Sequence, residues 1–175
     1  MFLLLAVLGA ILALHGGTAQ AAATVIGSGT VASCQTAAAA TALTNALSAG
    51  GQITFSCGGG PATLPVSNGT LIAGNSATPT TIDGTGQQVT IQGTGSGSLL
   101  TVNSSVTLTL IGLTLTGGSA AAGGGIDNNG GPVTLSNSTL SGNSAGTGGG
   151  IFNHAGTVTL TNSTLSGNTA TSGAG

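Results

Sequence analysis

The sequence predicts an all-β protein wound as a parallel β-helix, with about 25 residues and three strands per regular coil and a short capping helix near the amino end. Three observations predict it. First, Gly123-Gly124-Gly125-Ile126 recurs 25 residues later as Gly148-Gly149-Gly150-Ile151, and the same offset joins Val133 to Val158, Leu135 to Leu160 and Leu140 to Leu165. Backwards it reaches Leu108, Leu110 and Leu115, with Gly112 at the position of Asn137. Second, each repeat holds three short β-prone segments, Ile126-Asp127-Asn128, Val133-Thr134-Leu135 and Ser138-Thr139-Leu140, in which apolar and polar residues alternate between Gly-rich or Asn/Ser corners. Third, helical periodicity is absent from the repeat, which excludes arrays of helix pairs. One coil buries too few aliphatic side chains to stand alone, so stability has to come from stacking on its neighbours. The expected core is therefore Leu108, Leu110, Leu115, Ile126, Val133, Leu135, Leu140, Ile151, Val158, Leu160 and Leu165.

Asn128/Asn153, Asn137/Asn162 and Asn143/Asn168 recur with the same offset, and stacked side-chain amides at such corners are expected to bond from coil to coil.

The amino-terminal elements come next in the argument. Residues Phe2 to Leu14 form an apolar run that is short for a membrane span, and Ala19-Gln20-Ala21 offers a small-x-small cleavage pattern. Residues 1–21 therefore read as a signal peptide, although no positive charge precedes the run; an uncleaved anchor is the rival reading. Residues 22–52 read as an amino-terminal cap. Within it, Thr36 to Ser48 is helical by its Ala-rich run, with Leu43 and Leu47 on one face and Gly50-Gly51 as the stop. Gln52-Ile53-Thr54-Phe55-Ser56 alternates as a strand. Cys34 and Cys57, the only cysteines, can bridge in an oxidising compartment; two free buried thiols are the alternative. The helix can cover the open apolar end of the first coil.

Residues 53–175 read as the β-helix. Thr80 to Gly84, Val89 to Gly93 and Leu99 to Asn103 look like less regular coils of the same kind. Gly173-Ala174-Gly175 begins another Gly-rich opening and stops where the next Ile is due, so the repeat reads as truncated at its carboxyl end, leaving an open coil through which copies would self-associate. On Gly123 to Asn128, Gly149 to Asn153, Val158 to Asn168 and Thr81-Ile82-Asp83-Gly84, the sequence resembles secreted bacterial right-handed parallel β-helix proteins of the pectin-lyase-like type. Related patterns occur in polymorphic outer-membrane proteins and adhesin-like passengers. The resemblance implies a right-handed winding and an extracytoplasmic location, secreted or at the cell surface. It leaves activity open, because this fold hosts lyases, hydrolases, adhesins and inert stalks.

Composition narrows the function. With no Lys or Arg, two acidic residues and a formal charge of −2, the chain lacks the cations that nucleic acids and phosphates require. A mean hydropathy of +0.50 opposes disorder. Polyuronide-cleaving relatives of the resembled group use clusters of Asp, whereas here Asp83 and Asp127 stand alone, 44 residues apart. Glycoside hydrolysis needs two carboxyls within roughly 5–10 Å. Gly142-Asn143-Ser144-Ala145-Gly146 matches a nucleophile-elbow pattern, but no acidic residue follows it, and the next repeat loses it at Gly167-Asn168-Thr169-Ala170-Thr171. His154 occupies the repeat position of Asn129 and reads as a surface turn residue.

No catalytic, cofactor-binding or metal site is expected, and no nucleic acid or specific small-molecule partner. The expectation is a non-catalytic, exported structural or adhesin-like protein whose Thr, Ser and Asn face a glycan or a cell-surface partner, with loops at Gly117 to Gly124 and Ala145 to Gly148 as contact points. Two rivals remain: a fragment of a carbohydrate-active, pectate-lyase-like enzyme whose catalytic coils are missing, and an ice-binding protein with Thr rows such as Thr107/Thr109 and Thr157/Thr159.

Overall fold

The computed structural model describes residues 23–172, so the expected signal peptide at 1–21 and the Gly173-Ala174-Gly175 opening lie outside the described residues. Within them the chain is all-β, 49% strand against 11% helix. It starts with β1 (Thr24–Ile26), then α1 (Val31–Cys34) and α2 (Ala37–Ala49). The next strands are β2 (Gly51–Phe55), β3 (Ala62–Ser67) and β4 (Leu71–Ala73), followed by β5 (Thr80–Asp83), β6 (Val89–Thr94) and β7 (Leu100–Val102). Then come β8 (Leu108–Ile111), β9 (Leu113–Thr116), β10 (Ser119–Ala122) and β11 (Ile126–Asn129). The repeat of that group is β12 (Val133–Ser136), β13 (Thr139–Ser141), β14 (Ser144–Thr147) and β15 (Ile151–Ala155). The last described strands are β16 (Val158–Thr161), β17 (Thr164–Ser166) and β18 (Thr169–Ser172).

These strands form four parallel sheets. The first has the order β1-β2-β5-β8-β12-β16, the second β3-β6-β9-β13-β17, the third β4-β7-β11-β15 and the fourth β10-β14-β18. The chain thus returns to each sheet one strand further along, an arrangement compatible with a parallel β-helix. The 25-residue offset is the register itself: Val133 pairs with Val158 and Leu108, Leu140 with Leu165 and Leu115, and Ile126 with Ile151. Alternation sends one set of side chains inward, so rows such as Ile53, Ile82, Leu110 and Leu135, or Leu64, Ile91, Leu115 and Leu140, build a continuous aliphatic core.

Several elements depart from the sequence reading. Regular rounds contain four strands rather than three. The additional sheet is written in Ser, Ala, Gly and Thr, whose weak or mixed strand preference hides it; pairing with the neighbouring round imposes it. The expected loops at Gly117 to Gly124 and Ala145 to Gly148 largely are these strands, β10 and β14. The first sheet begins at Thr24, inside the segment assigned to the cap. Leu160 and Leu165, expected in the core, are 43% and 37% exposed, because among the described residues no strand packs beyond β16 and β17.

The amino end is closed. Helix α2 starts at Thr36, whose hydroxyl accepts from the Ala39 amide at 3.0 Å, and stops at Gly50, whose φ of +74° suits a residue without Cβ. Its Ala39, Leu43, Ala46 and Leu47 are buried against the first strands, β1 to β4. The one-turn α1 was not legible from periodicity; Thr30 and Ser33 cap it reciprocally. A disulfide ties the end of α1 to the chain just after β2, between Cys34 and Cys57, with Cα atoms 5.6 Å apart and both residues fully buried.

Candidate functional site

The side chains with reactive chemistry lie apart. Asp83 sits on the outward face of the first sheet, where Oδ1 accepts from the Thr85 amide at 2.9 Å. Asp127 lies on the third sheet, in register with Thr101 and Phe152. Ser144 opens β14 on the fourth sheet, exposed, its amide donating to the Gly118 carbonyl. His154 is exposed on β15, its ring 6.2 Å from that of Phe152. It does not replace Asn129 in the ladder: the register shifts there, and Asn129 pairs with Ala155. Among the described residues, no three His, Cys, Asp or Glu side chains gather to hold a metal ion.

The repeated asparagines do two different jobs. Asn128 stands in an inward row with Val102 and is fully buried. Its Nδ2 donates to Asn153 Oδ1 at 2.7 Å and to the Gly131 carbonyl, and its Oδ1 accepts from the Gly130 and Gly131 amides. Asn143, also buried, donates to Asn168 Oδ1 at 3.0 Å and to the Leu115 carbonyl, while its Oδ1 accepts from the Gly118 amide. Each amide thus satisfies backbone groups at a corner that would otherwise be stranded away from water.

Asn137 and Asn162 make no such ladder. Both hold φ near +49°, at the position where Gly112 holds +63°, so Asn is present because it tolerates a left-handed backbone. The ladder at this corner belongs instead to Ser138 and Ser163. The Ser163 hydroxyl accepts from the Ser138 amide at 3.2 Å, and the Ser138 hydroxyl accepts from the Leu113 amide. The recurrence of Asn-Ser-Thr at 137–139 and 162–164 was the available signal.

Outward, the sheets carry hydroxyls in rows. On the first sheet Gln52, Thr81, Thr109, Thr134 and Thr159 are in register, next to a row that includes Asp83 and Ile111. Thr107 and Thr157 precede their strands, with Pro132 at the equivalent position between them, so they do not extend this row. On the second sheet Thr63, Thr90, Thr114, Thr139 and Thr164 are in register across five consecutive strands. Uneven spacing upstream of Thr114 concealed that row from the repeat. An open groove of about 350 Å³ runs between α2 and the β3–β6 edge of the second sheet. Its Thr41, Thr44, Thr70 and Thr94 hydroxyls already donate to backbone carbonyls, leaving only acceptor lone pairs.

Such surfaces can exchange hydrogen bonds with a neutral partner, and they hold no acid–base pair. Compared with protein-family models, curated proteins and solved structures, the chain matches none of them. Among the described residues, no helix is long and apolar enough to cross a membrane.

Proposed function

We propose that this protein is a non-catalytic, exported surface protein of the right-handed, pectin-lyase-like β-helix type, structural or adhesin-like in role. It presents hydroxyl and amide rows to a neutral glycan or a cell-surface partner. The observation that carries this reading is the set of outward Thr rows on a scaffold whose two carboxylates stand on different sheets. The Cys34–Cys57 disulfide is consistent with an extracytoplasmic location.

Binding of the purified protein to an array of neutral and acidic glycans tests the proposal. Retention on neutral glycans that persists in high salt and in chelator is expected, since no cation or metal cluster contributes. Release of unsaturated or reducing ends from polygalacturonate would replace this reading with the pectate-lyase-like one.

A further inference from the structure

From the second sheet we infer a further activity: its outward face binds the ordered water lattice of ice. The inference goes beyond the adhesin reading, although both start from the outward Thr rows. Thr63, Thr90, Thr114, Thr139 and Thr164 face outward on five successive strands without a register shift. Beside them, on the same three strands β9, β13 and β17, stand Thr116, Ser141 and Ser166. Neighbouring strands lie about 4.8 Å apart, and alternate residues of one strand about 6.6 Å apart. On β9, β13 and β17 the hydroxyls therefore form a two-row grid, continued by the single row through Thr90 and Thr63, and its repeats fall within about an ångström of those kept by oxygen atoms on a prism face of hexagonal ice.

Three further observations favour this occupant. Among the described residues, the hydroxyls of the five-threonine row bond to no protein group, in contrast to Thr41 and Thr44 on α2, so their donors and acceptors face water. Thr is β-branched, which restricts χ1 and narrows the orientations its hydroxyl and methyl sample. The face is also uncharged: Asp83 belongs to the first sheet and Asp127 to the third, so a neutral lattice meets a neutral surface. The second row of this sheet gives way to Gln92 and Pro65 beyond β9, both uncharged, whereas the second row of the first sheet carries the carboxylate of Asp83 beside the apolar Ile111, which makes the first sheet the poorer candidate. A crystalline polysaccharide is disfavoured because no aromatic ring lies on the second sheet to stack on a sugar.

Thermal hysteresis and inhibition of ice recrystallisation, measured on the purified full chain, test the inference against three variants. Thr114→Tyr places a wedge in the middle of the grid and is expected to lose most of the activity. Thr114→Val keeps the shape but removes one hydroxyl, and is expected to lose part of it even if the Tyr variant misfolds. Thr101→Tyr, outward on the third sheet, is expected to retain it. Circular dichroism and melting confirm that each variant is folded. A wild-type chain without either ice effect overturns the inference, as does equal loss in Thr101→Tyr or full retention in folded Thr114→Tyr. Retention on crystalline cellulose without any ice effect overturns it as well.

Discussion

At one end of the stack, Leu43, Leu47, Cys34 and Cys57 are fully buried beneath and beside α2; at the other, Leu160 and Leu165 repeat buried leucines yet stand 43% and 37% exposed. The two ends are made of different material. The amino end is irregular, with helices, a disulfide and strands of unequal spacing, whereas the far end repeats every 25 residues with nearly the same side chains. The difference shows that in this architecture a residue's contribution depends less on its identity than on whether a neighbour covers it from both sides. Spacing is uneven from the closed end through the rounds of β5 and β6, and the 25-residue repeat governs the rounds from β8 onward, where each meets a near copy of itself.

Paired substitutions at equivalent repeat positions are the sharpest way to break that comparison. Leu135→Ala should cost about 2–5 kcal/mol in urea unfolding, as a cavity in a packed row, while Leu160→Ala should cost about 1 kcal/mol or less. Equal losses would mean that Leu160 is covered in solution. Reducing the Cys34–Cys57 bridge should lower stability by about 2–4 kcal/mol, with increased hydrogen exchange in α2 and β1 and little change in β12 to β15. An unchanged melting temperature would show that the amino end is closed by α2 alone. Asn143→Ala strands the Gly118 amide and should cost about 1–3 kcal/mol, against a smaller effect of Asn168→Ala. Smallest is the corner pair: Asn137→Val should cost about 1–2 kcal/mol through its left-handed backbone, whereas Asn137→Gly should be nearly neutral. Chemical denaturation of the two variants side by side would show whether the Asn137 amide does anything the backbone does not.

Residues whose partners are copies of themselves were readable in advance. Ile126 with Ile151, or Leu140 with Leu165, could be paired from the sequence because identical rounds stack without offset. The second-sheet Thr row was only half readable, since Thr63 and Thr90 sit in rounds of other lengths and only pairing in space brings them into line. The fourth sheet was invisible because Ser, Ala and Gly have little strand preference of their own. The Asn roles split for a similar reason. Recurrence announces a corner, but not whether the side chain or the backbone conformation is what the corner needs.

The closed amino end also has a kinetic meaning. It leaves the ribosome before the rounds that stack on it, and folding during synthesis proceeds largely in that order. Once β1, α2 and β2 are in place, each following round arrives at a finished edge that already dictates its register. Growth can then run in one direction, strand by strand, and the order in which the chain is made becomes the order in which it is built.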